Sequence, residues 1–477
     1  MKTRMTIALA AATLILTPSG AQSPVRDLYY GVTIIDPATE TVQPDSYIAV
    51  EAGQIVEVGR GQPPAAPNVR LHDYRGHFAM PGLIDTHAHV TLGPMRIETE
   101  DGPKMVAAHR PDVVTHNARH LLAFGVTTIR NPGGDMAANQ AYDTRIAAGL
   151  LDGPEAFHAG EVIDRSPIPI EGLVSRPGPD LSVSDIVRRQ STAGADFIKL
   201  YTNLSEEELK QGIDTAHAAN RKTIAHLSDV SWTRAAEIGI DSIVHMMPIS
   251  PDLLPEDRRM KYRKERREGF FQSFEWYEAA DFDAEPVREM IETLAREKVF
   301  IDATLVAFQP AFWGDRPEIR DRDLAFVHPD MAANWQAGFR FDLGWKEQDY
   351  RRAQAVWPKV LSLTRWLHEA GVPMTIGTDL ANPFIAPGIS LSREMELHLE
   401  AGIPAWAVLR MATVDGARLL GIEGRTGRIK PGHEADILIL KADPLADFAN
   451  LRQVRAVLNN GKLLCPAELR QARAEPQ

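Results

Sequence analysis

One cysteine, Cys465, stands in a chain of 477 residues. No intramolecular disulfide can form, so a disulfide-stapled scaffold is excluded and core packing must hold the fold. Long apolar runs are missing too: beyond the N-terminal segment no stretch of about 18 apolar residues reads as a membrane span. Basic excess is absent, since 52 Lys and Arg face 64 Asp and Glu for a formal charge of −12. A nucleic-acid surface would need a basic face, so that class of partner is set aside. Neither a fixed-period repeat nor a long low-complexity tract occurs, and 44% hydrophobic with 24% charged residues is ordinary for a globular chain.

What is present begins with a leader. Lys2 and Arg4 precede an apolar run over residues 5–16, followed by Thr17, Pro18, Ser19, Gly20 and Ala21. This order predicts a signal peptide over 1–21, cleaved near Ala21, and an exported protein, periplasmic or secreted. No cysteine lies near the cleavage point to take a lipid, and loss of Lys2 and Arg4 moves the charge from −12 to −14.

The two ends of the remaining chain share a texture. Residues 28–71 alternate β-rich runs with turns, Glu51-Ala52-Gly53-Gln54 reading as a hairpin turn. "GRIKPGHEADILIL" and "VRAVLNNGKLL" near the C-terminus look alike. The spacing predicts a small β-sandwich built from 22–78 and 421–477. Between them, strands alternate with helices: 82–90, 126–131, 155–160, 197–201, 223–227, 242–246, 299–307 and 373–380 are the candidate strands. A capping box at Ser205 and Glu208 opens one of the helices. Eight βα units predict an α/β fold, a (β/α)₈ TIM barrel over 79–420.

Two inserts interrupt the alternation. Residues 255–280 carry the charge run "EDRRMKYRKERREG", read as a solvated helix face. Residues 309–357 hold Trp313, Trp335, Trp345 and Trp357 and are placed by their position over the C-terminal mouth of the strands. Their aromatic rings are suited equally to lining a pocket or to packing the insert's own core.

His87 and His89, two apart on a strand, point to one side and offer two imidazoles to a divalent ion. Lys199 stands between Ile198 and Leu200 and faces away from both. An inward lysine in an apolar interior is costly as an ammonium, so its pKa falls, and the neutral amine can add CO₂ to give a bridging carbamate. His226 and His245 fall near the ends of the next two strands, and Asp379 closes the last. Six such residues at corresponding strand ends read as one site. Tyr201, two beyond Lys199, shares its face and is placed to donate a hydrogen bond to a developing oxyanion or simply to pack. His116, His120, His217 and His368 fall on helices and read as surface residues, and His158 is a weaker candidate for a pocket.

The segments "MPGLIDTHAHV", "GADFIKLY", "IAHL", "DSIVHM", "IGTDL", "MATVDGARLLG" and "GRIKPGHEADILIL" resemble the amidohydrolase superfamily pattern over about residues 28–465. Within it the chain looks most similar to the imidazolonepropionase-related group with its prolidase-like, carboxypeptidase-like and ochratoxinase-like members. The resemblance implies a binuclear centre: His87, His89 and Asp379 on one divalent ion, His226 and His245 on the other, carboxylated Lys199 between them. Histidine and carboxylate ligands suit Zn²⁺, and Mn²⁺, Co²⁺ or Fe²⁺ would also fit. Imidazolonepropionases proper resemble a one-metal design without this lysine, so Lys199 argues against that activity. Two departures stand out: Asp415 where the pattern has Asn, and Asn131 where it often has Asp.

The expected activity is therefore metal-dependent cleavage of an amide or peptide bond in a dipeptide, N-acyl amino acid or similar small molecule. A metal-bridging hydroxide would attack and Asp379 would shuttle the proton. The same ligand set also suits lactones, cyclic amides and phosphotriesters, and an inactive ligand-binding relative is the non-enzymatic alternative. No membrane span is expected, and homo-oligomerisation is left open.

Overall fold

The computed structural model describes residues 26–63, 68–98, 104–166 and 170–471. The expected leader over 1–21 lies outside these residues. Among the described residues no helix is long and apolar enough to cross a membrane.

The β-rich ends form one sheet. Strands Arg26–Asp36, Thr41–Glu51, Gln54–Arg60, Val69–Asp73 and Phe78–Pro81 join Ile437–Leu440, Val454–Asn459 and Lys462–Leu464 in an eight-stranded arrangement. The short strand Phe78–Pro81 stitches the two chain ends together, parallel to the first strand and antiparallel to Ile437–Leu440. The expected hairpin turn is present: Ala52 and Gly53 both take positive φ, 48° and 84°, as a two-residue hairpin requires. Gly461 of the last hairpin presses on it, and a Cβ there would stand 2.6 Å from Gly53 Cα.

Alternation along Ile437–Leu440 explains how this sheet docks. Ile437 and Ile439 join Tyr29, Val32, Ile48 and Leu458 in one apolar cluster, whereas Leu438 and Leu440 point into the large central core. Successive strand residues face opposite sides, so four consecutive aliphatic residues serve two cores.

The central strands run parallel in chain order. Leu83–Asp85, Val126–Asn131 and Glu155–His158 make one three-stranded sheet. Phe197–Leu200, Lys222–Ala225, Ser242–Val244, Phe300–Asp302 and Met374–Thr375 follow in a second, which carries Val162–Ile163 and Val174–Ser175 at its edge. Parallel bridges join the two sheets at Ala159–Phe197 and Ala88–Leu380. At the second seam Thr86 N donates to Ile376 O at 2.9 Å and Asp379 N to His87 O at 2.8 Å. Helices such as Pro111–Ala123, Glu206–Ala218, Glu285–Glu297 and Ile389–Glu400 separate the strands, and the Ser205–Glu208 capping box is formed in both directions.

One expected strand is too long. The run 299–307 pairs only over Phe300–Asp302, and a helix spans Leu305–Phe312. Thr304 takes φ 45°, and the Glu394 carboxylate accepts from Leu305 N at 2.9 Å and Val306 N at 2.6 Å. An apolar run reads alike for a strand and a buried helix, and here a carboxylate distant in sequence caps the helix.

The inserts pack over one end of these strands. Trp335, Trp345 and Trp357 are buried, and Trp345 packs against Phe271 and Phe274 while Trp357 meets Phe312 and Trp313. The three buried tryptophans thus pack into the large central core, and none of the four lines the cavity. The charge run forms the expected solvated face: along helix Glu256–Glu265 only Tyr262 is buried, and at its end Arg263 pairs with Asp252 at 2.7 Å and Arg266 with Asp229 at 2.7 Å. Both arginines line a cavity.

Candidate metal centre

Parallel strands end on one side of a sheet, so residues placed there by sequence spacing meet in space. His87 lies just past strand Leu83–Asp85, Lys199 within Phe197–Leu200, and His226 just past Lys222–Ala225. His245 follows Ser242–Val244, and Asp379 follows Met374–Thr375. Ring centroids of His87 and His89 are 5.4 Å apart, of His87 and His245 4.9 Å, and of His226 and His245 4.6 Å. Asp379 Oδ1 lies 3.2 Å from His87 Nε2 and 3.5 Å from His89 Nε2. All six residues line a single cavity of about 1300 Å³ together with Tyr201.

The backbone at the site is bent to allow this. His245 and Asp379 both sit at φ 65°, a region that costs a side-chain-bearing residue on the order of 1 kcal/mol. The bends are held by His245 N donating to Asp302 O at 2.8 Å and by the Asp379–His87 bond at the seam. They accompany the placement of both side chains in the lining of the cavity.

Polar atoms in this centre are short of partners. Both ring nitrogens of His87, Nδ1 of His226 and Nζ of Lys199 are buried with no hydrogen bond among the described residues. Burial and the Arg130 guanidinium push the Lys199 amine down to about 7. Burial and Lys199 push His226 down to about 3, and burial holds His245 well below the usual histidine range. Burial pulls the Asp379 carboxyl up, but His87 and His245 outweigh it and hold the group well below the usual carboxylate range. A neutral His226 imidazole near an ionised Asp379 carboxylate is a pairing of protonation states that a metal ion requires.

The donor set fits a divalent ion. One atom each from His87, His245 and Asp379 lie within 4.8 Å of one another, and His89, His226 and Lys199 surround that set. The outer nitrogens are oriented as ligands usually are: His89 Nδ1 lies 2.8 Å from Gly133 O, and His245 Nδ1 2.7 Å from the Thr304 hydroxyl. Tyr201 is half-buried, its ring 4.8 Å from that of His226, and burial pushes its phenol up.

Further buried polar residues belong to this centre although only their strands were anticipated. Asp302 Oδ2 is 3.6 Å from His87 Nδ1 and 3.7 Å from Arg130 Nη2, and it accepts from the Thr86 hydroxyl at 3.0 Å. Its signal in sequence is the one that marks Lys199, a single charged residue inside an apolar strand. Asp85 accepts from His87 N at 3.0 Å, Thr378 N at 3.1 Å and the Thr378 hydroxyl at 2.7 Å, and so ties the first strand to the last. Burial pushes its carboxyl up to about 7.

The other histidines stay outside. His158 is buried but bonds Asn131 and Asp143 away from the cavity lining. His116, His120, His217 and His368 lie on helices as expected, but His120 is buried and stacks on His116 at 3.9 Å. Of the two departures from the family pattern, Asp415 pairs with Arg410 and Arg418, whereas Asn131 bonds Thr91, Asn139 and His158 through Nδ2 and leaves Oδ1 buried without a hydrogen bond among the described residues.

A family model described as "Amidohydrolase family" matches residues 332–464, which contain Asp379 alone of the six. An imidazolonepropionase of Streptococcus sanguinis (strain SK36) is 46% identical over 55 residues, 11% of this chain and 13% of the relative. The chain thus matches only about an eighth of that relative's length. Among solved structures, a Xaa-Pro dipeptidase with bound methionine in its active site aligns with TM-score 0.67 and 22% identity over 92% of this chain and all of the other. A bottromycin amidohydrolase aligns with TM-score 0.69 and 23% identity over 94% of this chain and 88% of that one.

Proposed function

We propose that this chain, a member of the amidohydrolase superfamily, is a metal-dependent hydrolase that cleaves a carbon–nitrogen amide or peptide bond. One observation carries the reading: buried nitrogens of His87, Lys199 and His226 without partners, at strand ends, around the ionised carboxylate of Asp379. Buried atoms without partners occur elsewhere in the chain too, as at Trp232 Nε1 and His398 Nε2, but here three side chains converge on one carboxylate in one cavity, which supports a ligand role.

His87, His89 and Asp379 would hold one ion and His226 and His245 the other, with Lys199 carboxylated between them and Zn²⁺ the best-suited ion. Bound divalent ions would supply Lewis-acid activation of water and of the scissile carbonyl. Asp379, ionised and in the cavity wall, would take the proton released by the attacking water and return it to the leaving nitrogen. Tyr201, whose phenol burial keeps protonated, would donate a hydrogen bond to the oxygen that gains charge. Asp302, against His87 Nδ1, would fix the ring's tautomer.

The parallel strands 83–85 to 374–375 are read as a closed (β/α)₈ barrel over 79–420, supported by the backbone bonds at both seams. The sheet made by both chain ends is read as a sandwich unit over 22–78 and 421–477. The leader over 1–21 would direct export, which the lone Cys465 tolerates in an oxidising compartment. Mass measurement of the mature protein from the periplasm or medium tests this; a chain still starting at Met1 there contradicts it.

Purified protein offered a panel of dipeptides and N-acyl amino acids tests the activity. Hydrolysis abolished by a chelator and restored by a divalent ion is expected. Turnover indifferent to chelation, or metal binding with no turnover on any amide, lactone or phosphotriester, contradicts the reading.

A further inference from the structure

The cavity above the six residues has two unlike walls. Beyond the strands ending at Leu200 and Ala225 it is lined by Thr202, Asn203, Ser205, Ser228 and Ser231, all able to form hydrogen bonds. Beyond the strands ending at Val244 and Asp302 the lining gains apolar Met247, Ile249 and Ala307, while its Arg263 and Arg266 are neutralised by Asp252 and Asp229. Phe270, Phe339 and Phe341 continue this side from the two inserts, each half-buried.

The aromatic wall is built rather than incidental. Phe270 and Phe341 stack with centroids 4.9 Å apart and an interplanar angle of 14°. Behind Phe270 stand Phe308 at 5.8 Å and Trp345 at 6.3 Å, both buried. The insert that carries Phe339 and Phe341 is tied to the neighbouring hairpin, since Asn334 bonds both Met95 N and Met95 O. That hairpin adds Met105, also half-buried and in the lining. Three phenylalanines that leave part of their rings exposed to the cavity lose the gain of full burial; a ligand that covers them recovers it.

Its place relative to the chemistry follows from the chain. Phe308 lies four residues past Thr304, whose hydroxyl meets His245 Nδ1, which is about one helical turn or 5.4 Å along the axis. Glu394 fixes the start of that helix through Leu305 N and Val306 N. The wall therefore starts beside a proposed metal ligand. The cavity, at about 1300 Å³, also exceeds the roughly 300–1,000 Å³ of ordinary small-ligand pockets, so an acetyl-sized group would leave most of it to water.

We propose that the substrate carries an aromatic ring, of phenyl size or larger, on one side of its scissile bond, seated against Phe270, Phe339 and Phe341. Its other side is polar and faces Asn203 and Ser228. This rests on the amide-hydrolase reading and narrows its substrate class. Ring-against-ring burial with offset or edge contact is the recognition that such a wall supplies.

Two measurements test it on the metal-loaded protein. In hydrolysis, amides paired to differ only by phenyl against methyl, on the acyl side or on the amine side, should differ in kcat/KM by about 10- to 100-fold on one of the two sides. Phe341→Ala should compress that ratio about tenfold, while Phe341→Tyr, which keeps the ring, should preserve it. In binding, calorimetry with 4-phenylbutanohydroxamate and acetohydroxamate, which share a headgroup, should give at least about tenfold tighter binding of the aromatic one, again lost in Phe341→Ala. Equal affinities of the two hydroxamates, or a phenyl-to-methyl ratio near one on both sides, overturns the proposal even if amide hydrolysis is found. A clear hydroxamate preference without hydrolysis of any amide sustains the aromatic site and contradicts only the hydrolase reading.

Discussion

Buried charge is handled in opposite ways by the sheet made from the chain ends and by the ring of parallel strand ends. In the sheet region, Asp436 accepts from Asn460 N at 2.7 Å and from the Thr426 hydroxyl at 3.0 Å. At the strand ends, Lys199, His87 and His226 bury nitrogens that make no hydrogen bond among the described residues, those of His87 lying only near the Asp379 and Asp302 carboxylates. The first arrangement joins two turns of the fold and is complete in itself. The second leaves atoms costly to bury, which the proposed metal ions would engage. Both regions rest on the same kind of aliphatic packing, and single unpartnered nitrogens such as His433 Nε2 occur in the sheet region too, so what sets the strand ends apart is their convergence on one carboxylate in a cavity.

The contrast can be broken most sharply at Asp379. Asp379→Asn should lower kcat/KM on any amide found to be a substrate by about 10²- to 10⁴-fold, while the folded protein persists in circular dichroism. Near-normal turnover with metal bound would remove the proton shuttle. Metal removal comes next. Chelation should lower the unfolding free energy by about 3–4 kcal/mol if the ion is present at 100 to 1,000 times its dissociation constant. His226→Ala should abolish most of that difference, seen as a thermal midpoint no longer responsive to chelator.

On the sheet side, Ile437→Ala should cost about 2–4 kcal/mol, measured by urea unfolding, and leave the response to chelator intact. A variant there that erased the metal response would join the two regions. The smallest effect concerns Asp436, whose carboxyl burial pushes up to about 6 from 3.8. Below pH 3.8 both the folded and unfolded forms are protonated. As pH rises from about 4 to 6 the unfolded chain ionises first, so stability falls, by up to about 3 kcal/mol, and stays lower above that range. Asp436→Asn should flatten this slope in denaturant melts run across the same interval.

Much of the centre was legible because polar residues in apolar strands stand out. His87 and His89 share a face by the strand period, and Lys199 interrupts "FIKL" as no packing residue would. Asp302 interrupts "FID" in the same way, but it was hidden inside a run read as one long strand. The break there comes from Glu394, which caps the next helix across 88 or 89 positions of sequence, a contact no local pattern reports. The inserts misdirected attention for a related reason. Four tryptophans drew notice by size, yet large rings are the ones most worth burying, and the half-buried phenylalanines 270, 339 and 341 line the cavity instead. The charge run likewise hid Arg263 and Arg266, whose carboxylate partners lie at positions 252 and 229.

Metal analysis of the purified protein by plasma mass spectrometry bears most directly on the centre. About two divalent ions per chain are expected in the wild type, with a loss of at least one in His87→Ala and in His226→Ala. A wild-type chain that binds no divalent ion when dialysed against micromolar Zn²⁺, with its fold intact, would contradict the assignment of these six residues as a metal site.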